Sequence, residues 1–367
     1  MVELTLSLPE LCGQLIVGGF EGTELPESFR RALAAGQRGG AILFRRNLKD
    51  VSQVQALCRS IAAAAPKRLP PFIGVDQEGG RVVRLPEPCL ALPPMRVFGR
   101  IDDPAFTYRA AAVLGSELAA LGFNLDFAPV LDVDSNPDNP IIGDRSFGSE
   151  VSVVTRHALS FIDGLQSQRV LACGKHYPGH GDTAQDSHVA LPRVERELAS
   201  LRATELLPFQ AACGAGVASL MTAHVVYPAL APDVPATFSS AICSELLRGE
   251  IGFQGVLFSD DLEMGAVTGR YGIEEAAVAA IAAGCDALLV CRDEALQVRA
   301  HAALLRRAES DPAFFERCRE AAVRSLLARR RFPPRASALG VVGGEHSQHL
   351  RAALARAQAS LEASGGG

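Results

Sequence analysis

The sequence predicts a (β/α)₈ TIM barrel. Short apolar runs alternate with longer segments of helical spacing, the runs number eight, and most of them are almost continuously apolar. Strands that are covered on both faces have this character. The predicted strands are residues 14–17, 41–44, 72–75, 125–129, 170–174, 219–222, 255–259 and 287–290. Eight repeats in this order favour a closed parallel barrel, and an open doubly wound sheet is the alternative because periodicity does not show closure.

The segments between the runs carry apolar residues at the three- and four-residue spacing of helices. The predicted helices are residues 51–64, 106–121, 151–166, 194–213, 240–249, 273–283, 295–306 and 311–330. Ser239 or Ser240 is a candidate cap for the fifth of these, and Gly284 is placed to end the sixth.

The C-terminal end of the chain differs in character from the rest. Pro333 and Pro334 end the last barrel helix, because proline lacks a backbone donor and disfavours helix before it. A linker containing Gly340 and Gly344 follows, and residues 345–363 have a helical pattern. We therefore predict a single barrel domain over residues 1–334 and a linker with an accessory helical tail over residues 335–367.

Composition excludes several classes of protein. The chain has 367 residues, 48% of them hydrophobic, and a formal charge of −5. Charge of this size and mixed sign predicts no nucleic-acid partner, and no run approaches the ~18 apolar residues of a membrane span. The N-terminus shows no secretory signal pattern, so we expect a cytoplasmic location. The nine cysteines are scattered and are expected to be reduced core thiols rather than zinc ligands or disulfides.

Polar residues interrupt the chain where the third and fourth strands end. In a barrel, chemistry is located at these carboxyl ends. After the third strand, Asp76 and Arg84 are candidates either for binding a ligand's hydroxyl groups or for an internal ion pair with each other. After the fourth strand, Asp132 and Asp134 are expected to structure a loop, whereas the planar guanidinium of Arg145 suits recognition of oxygen atoms.

The ends of the fifth to seventh strands carry the remaining candidates. Residues 175–188 read Lys-His-Tyr-Pro-Gly-His-Gly-Asp-Thr-Ala-Gln-Asp-Ser-His and hold three of the eight histidines. Asp186 lies close enough in sequence to His188 to orient its ring and favour the protonated form. The sixth strand ends at His224, which is either a satisfied core histidine or a wall of a pocket. The seventh ends in Asp260 and Asp261, whose side chains should diverge.

Together these segments resemble family 3 glycoside hydrolases, in particular the β-N-acetylglucosaminidases of bacterial cell-wall recycling. The resemblance is carried by residues 175–188, by Ser259-Asp260-Asp261-Leu262, by Asp76-Gln77-Glu78-Gly79-Gly80-Arg81 and by Gly143-Asp144-Arg145-Ser146-Phe147. It implies that Asp260 is the nucleophile and that His188 is the acid/base, with Asp186 as its partner. It also implies that the terminal sugar is held by Asp76, Arg84, Arg145, Lys175 and His176.

The implied activity is the retaining hydrolysis of terminal, non-reducing β-linked N-acetylglucosamine from muropeptide fragments, through a covalent glycosyl-aspartate. Neither a cofactor nor a metal ion is implied. A histidine donor departs from the usual pair of carboxyl groups. Because a neutral imidazole donates poorly to a leaving oxygen, the His188 ring must begin protonated, and Asp186 would stabilise that form.

Three alternatives remain open from the residues alone. A metal-dependent barrel hydrolase could use His176, His180, His188 and Asp186, since zinc sites combine histidine with acids. A sugar-binding protein without catalysis could have the same fold, because fold does not establish activity. An enzyme with the same site could also transfer the sugar to phosphate instead of water.

Overall fold

The computed structural model describes residues 6–183 and 191–364, which form a closed barrel of eight parallel strands beside one short antiparallel ribbon. The strands are β1 (Ile16–Gly18), β2 (Gly40–Leu43), β3 (Phe72–Val75), β4 (Leu125–Asp126), β5 (Leu171–Tyr177), β6 (Ser219–Thr222), β7 (Val226–Tyr227), β8 (Ala231–Pro235), β9 (Val256–Asp261) and β10 (Ala287–Val290). The ribbon is β7 with β8, and β1 pairs with β10 to close the barrel. The predicted barrel is confirmed, and the open sheet is wrong.

Helices surround the barrel within the described residues. They are α1 (Leu8–Gly13), α2 (Glu27–Ala34), α3 (Val51–Ala64), α4 (Met95–Ile101), α5 (Pro104–Leu121), α6 (Val151–Ser167), α7 (Leu198–Ala203), α8 (Leu206–Gly214), α9 (Gly265–Thr268), α10 (Ile273–Ala283), α11 (Glu294–Ser310), α12 (Pro312–Arg331) and α13 (Glu345–Ser364). A π-helical segment, Ala241–Glu250, lies between β8 and β9 in the sequence. No helix in this described part is long and apolar enough to cross a membrane.

Two of the helices predicted from the sequence have a different form in the structure. The helix expected at residues 194–213 is two helices, α7 and α8, which part where Thr204 leaves helical backbone angles at φ −124°. The helix expected at residues 240–249 has π-helical hydrogen bonding. At the start of this π-helix, Ser239 Oγ accepts a hydrogen bond from the backbone nitrogen of Ile242 at 3.3 Å, so Ser239 is the one of the two candidate serines whose side chain caps it.

The barrel interior is a packed apolar layer rather than a channel. Phe258 on β9 lies edge-on to Phe72 of β3 and to Phe127, with ring centroids 5.3 Å apart in both pairs. Leu171 of β5 and Leu289 of β10 complete much of this layer and are buried. A second, larger layer lies between the strands and the helices. These layers hold the strand ends rigidly around one mouth of the barrel.

The C-terminal helix α13 lies against α4 and α5. Leu350 and Leu354 on α13 are buried in the larger apolar layer. Glu117 of α5 accepts hydrogen bonds from the Gly343 nitrogen at 2.8 Å and from Ser347 Oγ at 2.5 Å. The helical tail expected from the sequence is therefore present and is packed on the barrel.

Candidate active site

A cavity of about 260 Å³ opens at the carboxyl ends of the barrel strands. Its polar wall contains six of the residues singled out from the sequence, which are Asp76, Arg84, Arg145, Lys175, His176 and Asp260. Glu78, His180 and Asp261 join them, and the apolar wall includes Ile42, Phe44, Met221, Met264 and Leu289. Side chains that are distant in sequence thus meet in a single concave site, as barrel enzymes require.

Glu78 is the acid that holds the cations of the polar wall together, and it is not among the site residues predicted from the sequence. Its carboxylate accepts two hydrogen bonds from Arg145, from Nε and Nη2, each at 2.8 Å. Its Oε1 also lies 2.6 Å from Lys175 Nζ. Burial by itself would raise the pKa of Glu78, but the charges of Arg145 and Lys175 outweigh burial and hold that pKa well below its usual range. The signal available in the sequence was its position two residues after Asp76.

Asp76 pairs with Lys175 rather than with Arg84. Lys175 Nζ lies 2.8 Å from Asp76 Oδ1, and the side chain of Lys175 is almost completely buried. Burial lowers the pKa of Lys175, but the two carboxylates beside it more than compensate, so the pKa is raised. Arg84 lines the cavity separately, and its Nε is buried without a hydrogen-bond partner in the described structure. The internal Asp76–Arg84 ion pair considered above is therefore wrong.

Asp132 holds the loop that carries the first two histidines of the fifth strand. Its Oδ2 lies 2.7 Å from His176 Nδ1, and its Oδ1 accepts from the backbone nitrogens of His176 and His180 at 3.1 and 2.7 Å. With Nδ1 donating to the carboxylate, Nε2 of His176 is left to accept from Arg145 Nη2 at 3.5 Å. The expected loop-structuring role of Asp132 is confirmed.

Burial determines the protonation states of His176, His180 and Asp132. Burial, helped by the positive charges of Arg145 and Lys175, lowers the pKa of His176 to about 3. Burial likewise lowers the pKa of His180 to about 4. Burial raises the pKa of Asp132 to about 6, against the opposing attraction of His180. At neutral pH the wall therefore presents two neutral imidazoles, of which the His176 ring bonds to the Asp132 carboxylate and the His180 ring to Thr183 Oγ1.

Asp260 and Asp261 at the end of β9 have different partners. Asp261 Oδ1 accepts from the backbone nitrogens of Glu263 and Cys291 at 3.1 and 3.2 Å. Burial raises the pKa of Asp261 to about 7. Asp260 Oδ1 accepts from the Asp261 nitrogen at 2.8 Å, and the side chain lines the cavity. Both acids line the cavity, but Asp261 is held by two loop nitrogens, whereas the hydrogen bond found for the Asp260 carboxylate in the described structure comes from the neighbouring Asp261 nitrogen.

His224 is a satisfied core histidine and is not among the described residues that line the cavity. Its ring is buried, with Nδ1 2.8 Å from Thr237 Oγ1 and Nε2 3.0 Å from the Asp261 carbonyl oxygen. By holding that carbonyl it supports the end of β9. The remaining two predicted catalytic residues, Asp186 and His188, lie outside the described residues.

Two glycines allow the loops around the cavity to approach one another. Gly79 has φ +116°, and a Cβ there would lie 2.6 Å from the Pro93 carbonyl oxygen. A Cβ on Gly181 would lie 1.6 Å from the carbonyl oxygen of Val133, in the loop after β4. Only glycine fits at such distances. Close backbone packing therefore explains the glycine at position 181.

A metal centre finds no support among residues 6–183 and 191–364, where no three histidine, cysteine or acidic side chains have the geometry to hold an ion. His176 and His180, two members of the hypothetical ligand set, already bond through Nδ1, to Asp132 and to Thr183.

Comparison with known proteins gives a consistent result. The model for the "Glycosyl hydrolase family 3 N terminal domain" matches residues 7–322. A β-hexosaminidase of Idiomarina loihiensis is 43% identical over 278 residues, which are 75% of this chain and 82% of that protein. A family 3 β-N-acetylglucosaminidase structure from Paenibacillus sp. superposes with a TM-score of 0.91 at 39% identity, covering 96% of this chain and 69% of that one. NagZ of Neisseria gonorrhoeae, solved with N-trifluoroacetyl-D-glucosamine, gives 0.74 at 35% identity, covering 93% and 97%.

Proposed function

Because this chain belongs to glycosyl hydrolase family 3 and is a hydrolase of the β-hexosaminidase type, we propose that it is a retaining, exo-acting β-N-acetylglucosaminidase. The observation that carries the proposal is the convergence of Asp260 with the charged wall of Asp76, Arg145 and Lys175 on one small cavity. A site of this size suits a single terminal sugar ring better than an extended chain.

The charged wall supports recognition of sugar hydroxyl groups. Asp76 supplies acceptor oxygens, while Arg84, Arg145 and Lys175 supply donors. His176 adds a neutral ring whose orientation is fixed by Asp132. The apolar wall, with Met221 and Leu289 among its members, provides a surface for the acetamido methyl group. Preorganised charged hydrogen bonds make this recognition directional.

The chemistry proposed for this site divides hydrolysis into two displacements. Asp260 attacks the anomeric carbon and forms a glycosyl ester, while His188 gives its proton to the departing oxygen. His188 then takes a proton from water, whose oxygen attacks the anomeric carbon and releases Asp260 and the sugar. Asp186 orients the His188 ring and stabilises its charged form. The position of Asp260 at the cavity supports the nucleophile, and the sequence motif 175–188 supports the donor.

The natural substrate proposed is a muropeptide fragment of peptidoglycan, handled in the cytoplasm. The resemblance to the enzymes of cell-wall recycling supports the substrate. Solved NagZ from Neisseria gonorrhoeae holds an N-acylated glucosamine, which supports the identity of the terminal sugar.

The test compares hydrolysis of an aryl β-N-acetylglucosaminide with hydrolysis of an aryl β-glucoside. Wild type should cleave the first far faster, at a rate that added phosphate does not change. Asp260→Ala should lower kcat by about 10³-fold or more. Asp163→Ala, which removes an exposed acid on α6, is the matched control and should keep wild-type rates. Equal rates on both glycosides, or full activity in Asp260→Ala, would refute the proposal.

The same assay separates the role of His188. Its alanine variant should slow cleavage of poor leaving groups much more than cleavage of aryl glycosides, because only the former need a proton in the transition state. An equal loss for both leaving groups would argue against His188 as the donor.

A further inference from the structure

One buried carboxylate links the C-terminal tail to the loop after β3, residues 77–92. Glu117, near the C-terminal end of α5, is completely buried. Its Oε1 accepts from the Gly343 nitrogen and from Ser347 Oγ, both in the tail. Its Oε2 accepts from the Leu90 nitrogen at 2.6 Å, in the loop that follows β3. A single side chain therefore ties the tail to that loop.

From Leu90 the hydrogen bonds continue to the rim of the cavity. The Leu90 carbonyl oxygen accepts from Gln77 Nε2 at 3.3 Å. Gln77 Oε1 in turn accepts from the backbone nitrogens of Arg84 and Leu85, at 2.8 and 3.2 Å. Gln77 is buried, and its neighbours in the sequence are Asp76 and Glu78, which line the cavity. A continuous series of hydrogen bonds thus links the tail to the backbone nitrogen of Arg84.

A second contact is independent of Glu117. Nη2 of Arg351, on α13, donates to the carbonyl oxygens of Pro88 and Cys89 at 2.6 and 2.7 Å. Leu350 and Leu354 on the same helix are buried in the apolar layer. The tail therefore holds the middle of the loop by its backbone while its apolar residues anchor α13 to the barrel.

We propose that the C-terminal tail is a positioning element for sugar binding, which fixes the 77–92 loop through Glu117, Ser347 and Arg351 so that Arg84 faces the cavity. The inference rests on the proposed function, because it assigns Arg84 to the sugar. The tail lies beyond residue 322, where the match to the family model ends, and α13 packs on the outside of the barrel against α4 and α5. Networks of buried hydrogen bonds transmit such effects because each member has one satisfied arrangement.

The test uses the full-length protein and the variants Ser347→Ala and Arg351→Ala, which remove the two contacts separately. Ser310→Ala is the matched control, since that serine is exposed on α11 and bonds only to carbonyls of its own helix. Hydrolysis of an aryl β-N-acetylglucosaminide is measured well below the melting temperature of each variant. Each tail variant should raise KM about fivefold or more while kcat stays within about twofold of wild type.

The outcomes separate positioning from simple support. If the tail served only to stabilise the fold, the two substitutions would lower Tm and leave the KM of the folded protein unchanged. That result would overturn the inference. Loss of kcat at constant KM would overturn it as well. If one variant fails to fold, the other carries the same test. A wild-type protein without activity on the substrate would instead refute the proposed function.

Discussion

At the scale of single residues, the wall of the cavity is an alternation of buried charges. Glu78 lies between Arg145 and Lys175, and Lys175 lies between Glu78 and Asp76. Three of these side chains, Asp76, Arg145 and Lys175, can be found in the sequence from their positions at or after strand ends. Glu78 is missed because a single acid beside two glycines does not reveal that two cations from later strands converge on it. Long-range pairing of this kind exists only after the barrel closes.

Glu78→Gln should weaken substrate binding more than it slows the chemical step. The variant leaves Arg145 and Lys175 close together without the charge between them. Hydrogen bonds to charged groups contribute about 1.5–3 kcal/mol, so KM should rise about tenfold or more. Steady-state kinetics measure this, with Glu24→Gln as a control at an exposed position. An unchanged KM would show that Glu78 does not organise the wall.

The pH dependence of stability should identify the raised pKa of Asp132. Folding raises that pKa to about 6, above the ordinary value near 3.9, so the ionised carboxylate is disfavoured in the folded state at neutral pH. Lowering the pH from 6 to 4 relieves this cost and adds stability. Asp132→Asn lacks the titrating proton and should not gain that stability.

Denaturant unfolding of wild type and Asp132→Asn at pH 7.5 and at pH 4.5 measures the effect. The stability of the variant relative to wild type should be greater at the higher pH, whatever the constant offset from altered hydrogen bonds. Asp163→Asn is the control. The same difference at both pH values would contradict the raised pKa.

At the scale of elements, the sequence predicted what periodicity can encode. All eight barrel strands were located, and α3 and α10 were placed with their observed bounds. The ribbon of β7 and β8 was not predicted, because two-residue Val226–Tyr227 is too short to show alternation. The split between α7 and α8 was also missed, although the sequence carries a signal for it: Pro208 lies in the first turn of α8, and its ring would clash with the carbonyl of Thr204 in a continuous helix.

The meeting of the loops after β4 and β5 depends on Gly181. In Gly181→Ala the new methyl group would collide with the Val133 carbonyl, and overpacking of this kind costs about 1–3 kcal/mol. We expect a lower Tm together with reduced kcat/KM, because His180 lies next to the displaced residue. Gly214→Ala, where the added carbon meets nothing within 4 Å, should change neither quantity. Equal behaviour of the two variants would contradict the close approach.

At the scale of the whole molecule, the two ends of the barrel have separate tasks. The carboxyl ends of the strands carry the cavity, whereas the opposite end is closed by Arg329 of α12. Arg329 Nη1 donates to Gln14 Oε1 and to the carbonyls of Gly39 and Pro70, which precede β1, β2 and β3. Sequence reasoning could place the cavity end by the barrel rule, but the buried arginine lies in a helix rich in charge and gave no signal.

Arg329→Met should therefore lower stability and spare catalysis. The substitution leaves several buried acceptors unsatisfied, at a cost on the order of 1–3 kcal/mol or more. Denaturant unfolding should show the loss, while kcat and KM of the folded protein should match wild type. A marked change in KM without a change in stability would indicate that the two ends are coupled.

The most direct measurement of the central claim is the site at which a mechanism-based fluorosugar attaches. The wild-type protein is incubated with an activated 2-acetamido fluoroglycoside, digested and mapped by mass spectrometry. The account predicts one glycosyl adduct per chain, located on Asp260 and missing from Asp260→Ala. An adduct on Asp261, on Glu78 or on any other side chain, with Asp260 unmodified, would contradict it.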